Sequence, residues 1–164
     1  MSLDINTPRG QVTLADEQKV AEWLLGKNVH YIQTPKDKPA KVDAVLLKDG
    51  YILAVAETKC RYNLTLEKLQ TRFANEWLVT EAKIRDGINI ANGLCVPLIG
   101  FLYLVDADTL LAINLLDAKR RVAETMTQQT VNGGQVVRSN AYILMDSAKV
   151  YKNITFKKGG EHGS

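Results

Sequence analysis

Apolar positions in residues 14–25 recur at Leu14, Val20, Ala21, Leu24 and Leu25, a helical spacing that closes on Gly26 and places Asp16 and Glu17 in the first turn. His30 to Gln33 is β-prone, and the polar residues 34–41, with Pro35 and Pro39, read as a loop. From Val42 the texture changes: apolar residues 42–47 and 51–56 flank Lys48-Asp49-Gly50, which predicts a hairpin. Neither run alternates cleanly, so both strands are expected to be covered on both faces. Leu66, Leu69, Phe73 and Trp77, then Ile84, Ile88 and Ala91, keep a helical period toward Asn92-Gly93. That predicts one long helix or two broken ones, with Asp86-Gly87 as the break. Residues 97–105 and 110–116 read as strands, 118–129 as a short helix, Asn132-Gly133-Gly134 as a loop, and 136–145 as a further edge strand. The order predicts an α/β or α+β sandwich around a mixed sheet.

Composition sharpens this picture mainly by exclusion. A chain of 164 residues, 46% hydrophobic and 24% charged, is expected to form one packed domain over residues 1–158, with 159–164 a flexible tail. The most apolar run, 94–105, holds Pro97 and Gly100 and is shorter than the roughly 20 residues of a membrane span. The first residues show no basic region followed by an apolar stretch, so a cytoplasmic protein with no membrane partner is expected. Cys60 and Cys95 are too few for a disulfide framework and read as reduced core residues. A net charge of +3, from 21 Lys and Arg against 18 Asp and Glu, permits a polyanionic partner without requiring one. Lys119-Arg120-Arg121 fits a solvated helix face and would equally suit phosphate contact.

The chemistry gathers at the hairpin. Its second strand runs Ala54-Val55-Ala56-Glu57-Thr58-Lys59, ending an apolar segment with a carboxylate and an ammonium that strand alternation places on one face. Burying either charge alone is costly, so the pair must be compensated or hold a metal. Asp43 opens the preceding strand, and the register decides whether it can join. A plain two-residue Asp49-Gly50 turn pairs Asp43 with Ala56 and leaves the acids on opposite faces. A three-residue loop or a bulge sets Asp43 opposite Glu57, on the Lys59 face. Two adjacent carboxylates repel unless a cation lies between them, and Mg²⁺ suits such oxygen ligands. A functional site therefore predicts the odd register.

Asp43 followed by Glu57-x-Lys59 at the end of an apolar strand resembles the PD-(D/E)XK nuclease superfamily, over about residues 14–105. Val42 stands where that family carries Pro, which reduces the motif to two acids and a lysine. The resemblance implies a restriction-endonuclease-like α/β sandwich, a central mixed β-sheet flanked by helices. It implies Mg²⁺, with Mn²⁺ able to substitute, held by Asp43, Glu57 and the carbonyl of Thr58, and a water oriented or activated by Lys59. An acidic residue on the first helix completes the site in several branches; Glu17 matches, three, four and seven residues before Val20, Ala21 and Leu24. Gln70, at the edge of the Leu66 to Trp77 stripe, stands where some relatives carry a polar site residue.

Each feature also has a bland reading. Glu57 and Lys59 suit a solvated strand end, Glu17 suits the dipole of a helix first turn, and Gln70 suits an ordinary boundary residue. Trp23, Phe73, Trp77 and the methionines read as core. The leading expectation is a Mg²⁺-dependent endonuclease acting on nucleic acid, DNA above RNA. It would be structure-selective or weakly sequence-selective, and a homodimer would cut both strands. The alternatives are a nucleic-acid-binding or assembly module on the same fold without hydrolysis, and an unrelated interaction domain with Asp43 and Glu57 on different sheet faces.

Overall fold

Asp49 and Gly50 both take positive φ, 52° and 82°, the geometry of a two-residue turn whose twist matches the strands it joins. They connect β2 (Ala44–Lys48) to β3 (Tyr51–Arg61), the middle of the fold in a computed structural model that describes residues 8–35, 41–128 and 135–156. Before this hairpin come α1 (Pro8–Leu25) and β1 (His30–Gln33). After it come α2 (Leu66–Arg72), β4 (Glu76–Thr80), α3 (Glu81–Leu94), β5 (Leu98–Leu104), β6 (Thr109–Asn114), β7 (Arg120–Gln128), β8 (Gln135–Leu144) and β9 (Lys149–Lys152). The large sheet has the order β1-β2-β3-β5-β6-β9, and a smaller one the order β4-β8-β7. β3 and β5 are parallel and the other neighbours in the large sheet antiparallel, so this is an α/β protein with a mixed sheet.

Strand alternation sorts the core into two layers. Ala44, Leu46, Ala54, Ala56, Phe101, Tyr103 and Leu110 point to one face, where Val20 and Leu24 of α1 cover them. Val55, Leu98, Leu102, Leu104, Leu111 and Ile113 point to the other, under Ile84 and Ala91 of α3, Leu69 of α2, and Trp77, Val79, Ala141 and Ile143 of the small sheet. β3 is buried on both faces from Ala54 to Thr58, as its unbroken apolar run requires, while Tyr51, Ile52 and Leu53 stay exposed.

Several expectations need correction. α1 begins at Pro8, so Asp16 and Glu17 lie in its interior rather than its first turn, and the helix dipole no longer accounts for them. Both are buried. The helical stripe from Leu66 stops at Arg72, because Ala74 and Asn75 take left-handed φ of 55° and 56°. β4 follows, with Trp77 and Val79 inward and Leu78 exposed: a period of two that the spacing Phe73-Trp77 disguised. Phe73 is exposed rather than core, and Asp86-Gly87 lies inside α3 instead of breaking it. Gly87 packs closely there, where a Cβ would come 3.0 Å from the Leu98 side chain. The expected helix over 118–129 is β7, held to β8 by strand pairing from Arg120↔Ile143 to Gln128↔Gln135. β8 is the central strand of the small sheet, not an edge. Cys60 is half-buried, but Cys95 is exposed at the α3 C-cap. The loop residues 36–40, the Asn132-Gly133-Gly134 loop and the tail 159–164 lie outside the described residues. Among the described residues, no helix is long and apolar enough to cross a membrane.

Candidate functional site

The β2–β3 ladder begins at the turn with Lys48↔Tyr51 and Leu47↔Ile52, then jumps to Leu46↔Ala54, leaving Leu53 as a bulge. Beyond it the pairs are Val45↔Val55 and Ala44↔Ala56, so the next position sets Asp43 against Glu57. The two-residue turn alone gives the wrong parity, and the bulge corrects it. The N–H of Asp43 donates to the Ala56 carbonyl at 2.9 Å, and the Thr34 N–H donates to the Asp43 carbonyl at 2.9 Å, fixing the entry to the strand. Asp43, Glu57 and Lys59 thus share the face covered by α3.

The side chains confirm this convergence. The backbone N–H of Thr58 donates to Asp43 Oδ2 at 2.8 Å. Lys59 Nζ lies 3.7 Å from Glu57 Oε2. Lys83, from the first turn of α3, brings its Nζ to 3.7 Å from Asp43 Oδ1 and 3.8 Å from Glu57 Oε1. Glu57 is 1% exposed, yet neither of its carboxylate oxygens accepts a hydrogen bond from a neighbouring donor. Both ammonium contacts exceed the 2.7–3.2 Å of a good N–H···O bond and act through charge. Burial, then the neighbouring charge of Asp43, push the Glu57 carboxyl up to about 8, Lys83 and Lys59 pull the other way, and a side-chain hydrogen bond with Asp43 adds to the rise.

Glu17 does face the sheet, but from the α1 side. Its Oε2 accepts from the Tyr31 hydroxyl at 2.5 Å, and that hydroxyl lies 2.8 Å from Thr58 Oγ1. Thr58 projects to the α1 face and Glu57 to the α3 face, so the β3 backbone stands between this chain of hydrogen bonds and the two paired acids. Burial, then the charge of Glu17, hold the Tyr31 phenol well above its ordinary range, so it stays a proton donor to the carboxylate. Gln70 is exposed on α2, which β4 separates from α3 in the chain, and it is not among the side chains brought to the acids. Lys83, by contrast, was missed. It stands four residues before Gly87 and one before the buried Ile84, a spacing that marks the inward side of the helix.

The donors fit a hydrated divalent cation. Mg²⁺ is commonly held by one or two carboxylates while it keeps several waters, and buried oxygens without donors are what such an ion would satisfy. Asp43 Oδ1 and Glu57 Oε1 converge on one locus, and Lys83 marks it by contacting both. Among the described residues, no group of three or more His, Cys, Asp or Glu is placed to hold a metal, so any ion would rest on these two carboxylates, backbone and water. No family model matches the chain, and no curated protein matches it.

Proposed function

We propose that the chain is a divalent-metal-dependent nuclease that hydrolyses phosphodiester bonds of DNA from a PD-(D/E)XK-like core. One observation carries the reading: the Leu53 bulge turns an otherwise mismatched hairpin so that Asp43 meets Glu57 beside Lys59. A bulge that leaves an extra residue exposed and re-aims an acidic side chain into a buried site is typical of functional strand ends. The order α1, β1, β2, β3, α3, β5, with β3 and β5 parallel, supports a restriction-endonuclease-like core, in which α2 and β4 form an insertion.

Asp43 and Glu57 would hold Mg²⁺, or Mn²⁺ in its place, with the Thr58 carbonyl adjacent. Bound there, the ion would supply Lewis acidity toward the scissile phosphate and favour ionisation of water. Asp43 is oriented by the Thr58 N–H, which donates to Oδ2, while Lys83 Nζ lies 3.7 Å from Oδ1. Lys59 is 35% exposed at its side chain, so its ammonium reaches solvent while staying beside Glu57, where it can orient an attacking water and carry positive charge toward the phosphate. Glu17 bonds Tyr31, whose hydroxyl lies 2.8 Å from Thr58 Oγ1 on the α1 side of the sheet, so it supports the fold there rather than the chemistry.

A second reading, the same fold as a DNA-binding or assembly module without hydrolysis, is favoured by the absence of a third clustered acid among the described residues. The test is incubation of the protein with plasmid, single-stranded and branched DNA in Mg²⁺ or Mn²⁺, beside Glu57→Ala and Lys59→Ala. Metal-dependent cleavage lost in both variants is the expected result. Cleavage that persists in both overturns the site, and DNA binding with no cleavage by any form favours the second reading.

A further inference from the structure

Lys83 has no place in the motif that singled out Asp43, Glu57 and Lys59, yet it contacts both acids. Its Nζ lies 3.7 Å from Asp43 Oδ1 and 3.8 Å from Glu57 Oε1, whereas Lys59 reaches Glu57 Oε2. Asp43 Oδ2 is committed to the Thr58 N–H. Lys83 thus sets its charge against one oxygen of each acid, and the buried Glu57 oxygens accept a hydrogen bond from no neighbouring donor. Lys83 does not hydrogen-bond these acids at such distances; it neutralises them.

From this we propose that Lys83 is the resident counter-cation of the Asp43–Glu57 pair, and that a divalent ion binds there only as the Lys83 ammonium withdraws. The inference rests on the metal-site reading above and adds what competes for the site. Two features suit a displaceable cation. Lys83 is 25% exposed at its side chain and grows from the first turn of α3, so a flexible four-carbon stem can carry the ammonium toward water without moving the helix. The backbone beneath it is anchored independently, by Ile84 in the core and by Gly87 against Leu98. In the metal-free protein, the ammonium lies against buried Glu57 and partly buried Asp43 and offsets the negative charge they carry.

The consequence is a metal affinity set by competition, which separates Lys83 from Lys59 although each carries the same charge. Calorimetric and Mn²⁺ electron paramagnetic resonance titrations, without nucleic acid, compare wild type with Lys83→Met, Lys83→Arg, Lys59→Met and Asp43→Asn. Lys83→Met is expected to bind Mn²⁺ at least tenfold more tightly than wild type. Lys59→Met, which matches its change in net charge, is expected to shift by less than threefold. Lys83→Arg places a planar fork against both carboxylates and is expected to bind about tenfold more weakly, which keeps the inference testable if the Met variant fails to fold. Equal or weaker binding by folded Lys83→Met, or equal gains from both Met variants, overturns the proposal while leaving the metal site intact. Binding by Asp43→Asn equal to wild type, or no binding by any folded form, overturns the metal-site reading and this inference with it.

Discussion

The backbone N–H of Thr58 donates to Asp43 Oδ2 at 2.8 Å, across a hairpin whose turn alone would have put Asp43 and Glu57 on opposite faces. This bond ties the orientation of one acid to the strand that carries the other. It forms because Leu53 is bulged out of the β2–β3 ladder, so the position of the site depends on an exposed residue that touches neither acid.

Glu57 makes the protein's stability depend on pH with an unusual sign. Its carboxyl is raised from an ordinary 4.5 to about 8, chiefly by burial, so the folded state holds a proton that the unfolded state has released. Stability is then greatest below about pH 4.5, as far as this group is concerned, and falls as pH rises toward about 8. Glu57→Gln, which cannot ionise, is expected to flatten that slope and to be more stable than wild type at pH 9, by at most about 5 kcal/mol. Urea unfolding of both proteins at pH 5 and pH 9, without metal, checks the difference.

On the proposed nuclease reading, the same proton would oppose metal binding. At low Mg²⁺, cleavage is expected to rise up to tenfold per pH unit toward about pH 8, and higher Mg²⁺ is expected to move the midpoint to lower pH, because metal and proton compete for Glu57. Rate profiles at several Mg²⁺ concentrations measure both effects.

Tyr31 and Glu17 contribute to stability more than to the site. Tyr31→Phe removes the hydroxyl that serves the buried Glu17 carboxylate and Thr58, at an expected cost of about 1–3 kcal/mol. Glu17→Gln is expected to change Mn²⁺ affinity by less than threefold, since its bonds lie on the α1 side of the sheet. Denaturant melts and metal titrations of the two variants separate the roles.

Cys95 ends α3 at φ 57°, a left-handed conformation that a side chain makes costly and glycine does not. Cys95→Gly is expected to raise stability by about 1 kcal/mol, seen as a melting temperature about 3 °C higher. Thiol labelling of wild type should modify exposed Cys95 well before Cys60, whose thiol burial pushes up to about 12.

The hairpin and its acids were legible because they rest on local signals: Asp49-Gly50 marks the turn, and charge at the end of an apolar strand marks the site. The sequence arithmetic even reduced the register to a choice, which the Leu53 bulge decides. β4 was not legible, because Trp77 fits a helical step from Phe73 as well as a strand alternation with Val79. Only the left-handed pair Ala74-Asn75 separates them. β7 was hidden for a different reason: its pairing partner β8 lies further along the chain, and strand formation there is a tertiary effect. Lys83 escaped because its motif partners are brought to it by the fold rather than by spacing in sequence.

The central claim is that Asp43 and Glu57 jointly hold a divalent ion. A crystal of the protein soaked in Mn²⁺, with anomalous differences recorded near the manganese edge, tests it most directly. The account predicts a single strong peak between the Asp43 and Glu57 carboxylates, with the Lys83 ammonium moved off both. A map without a peak there at saturating Mn²⁺, or one with manganese bound at other residues, would contradict it.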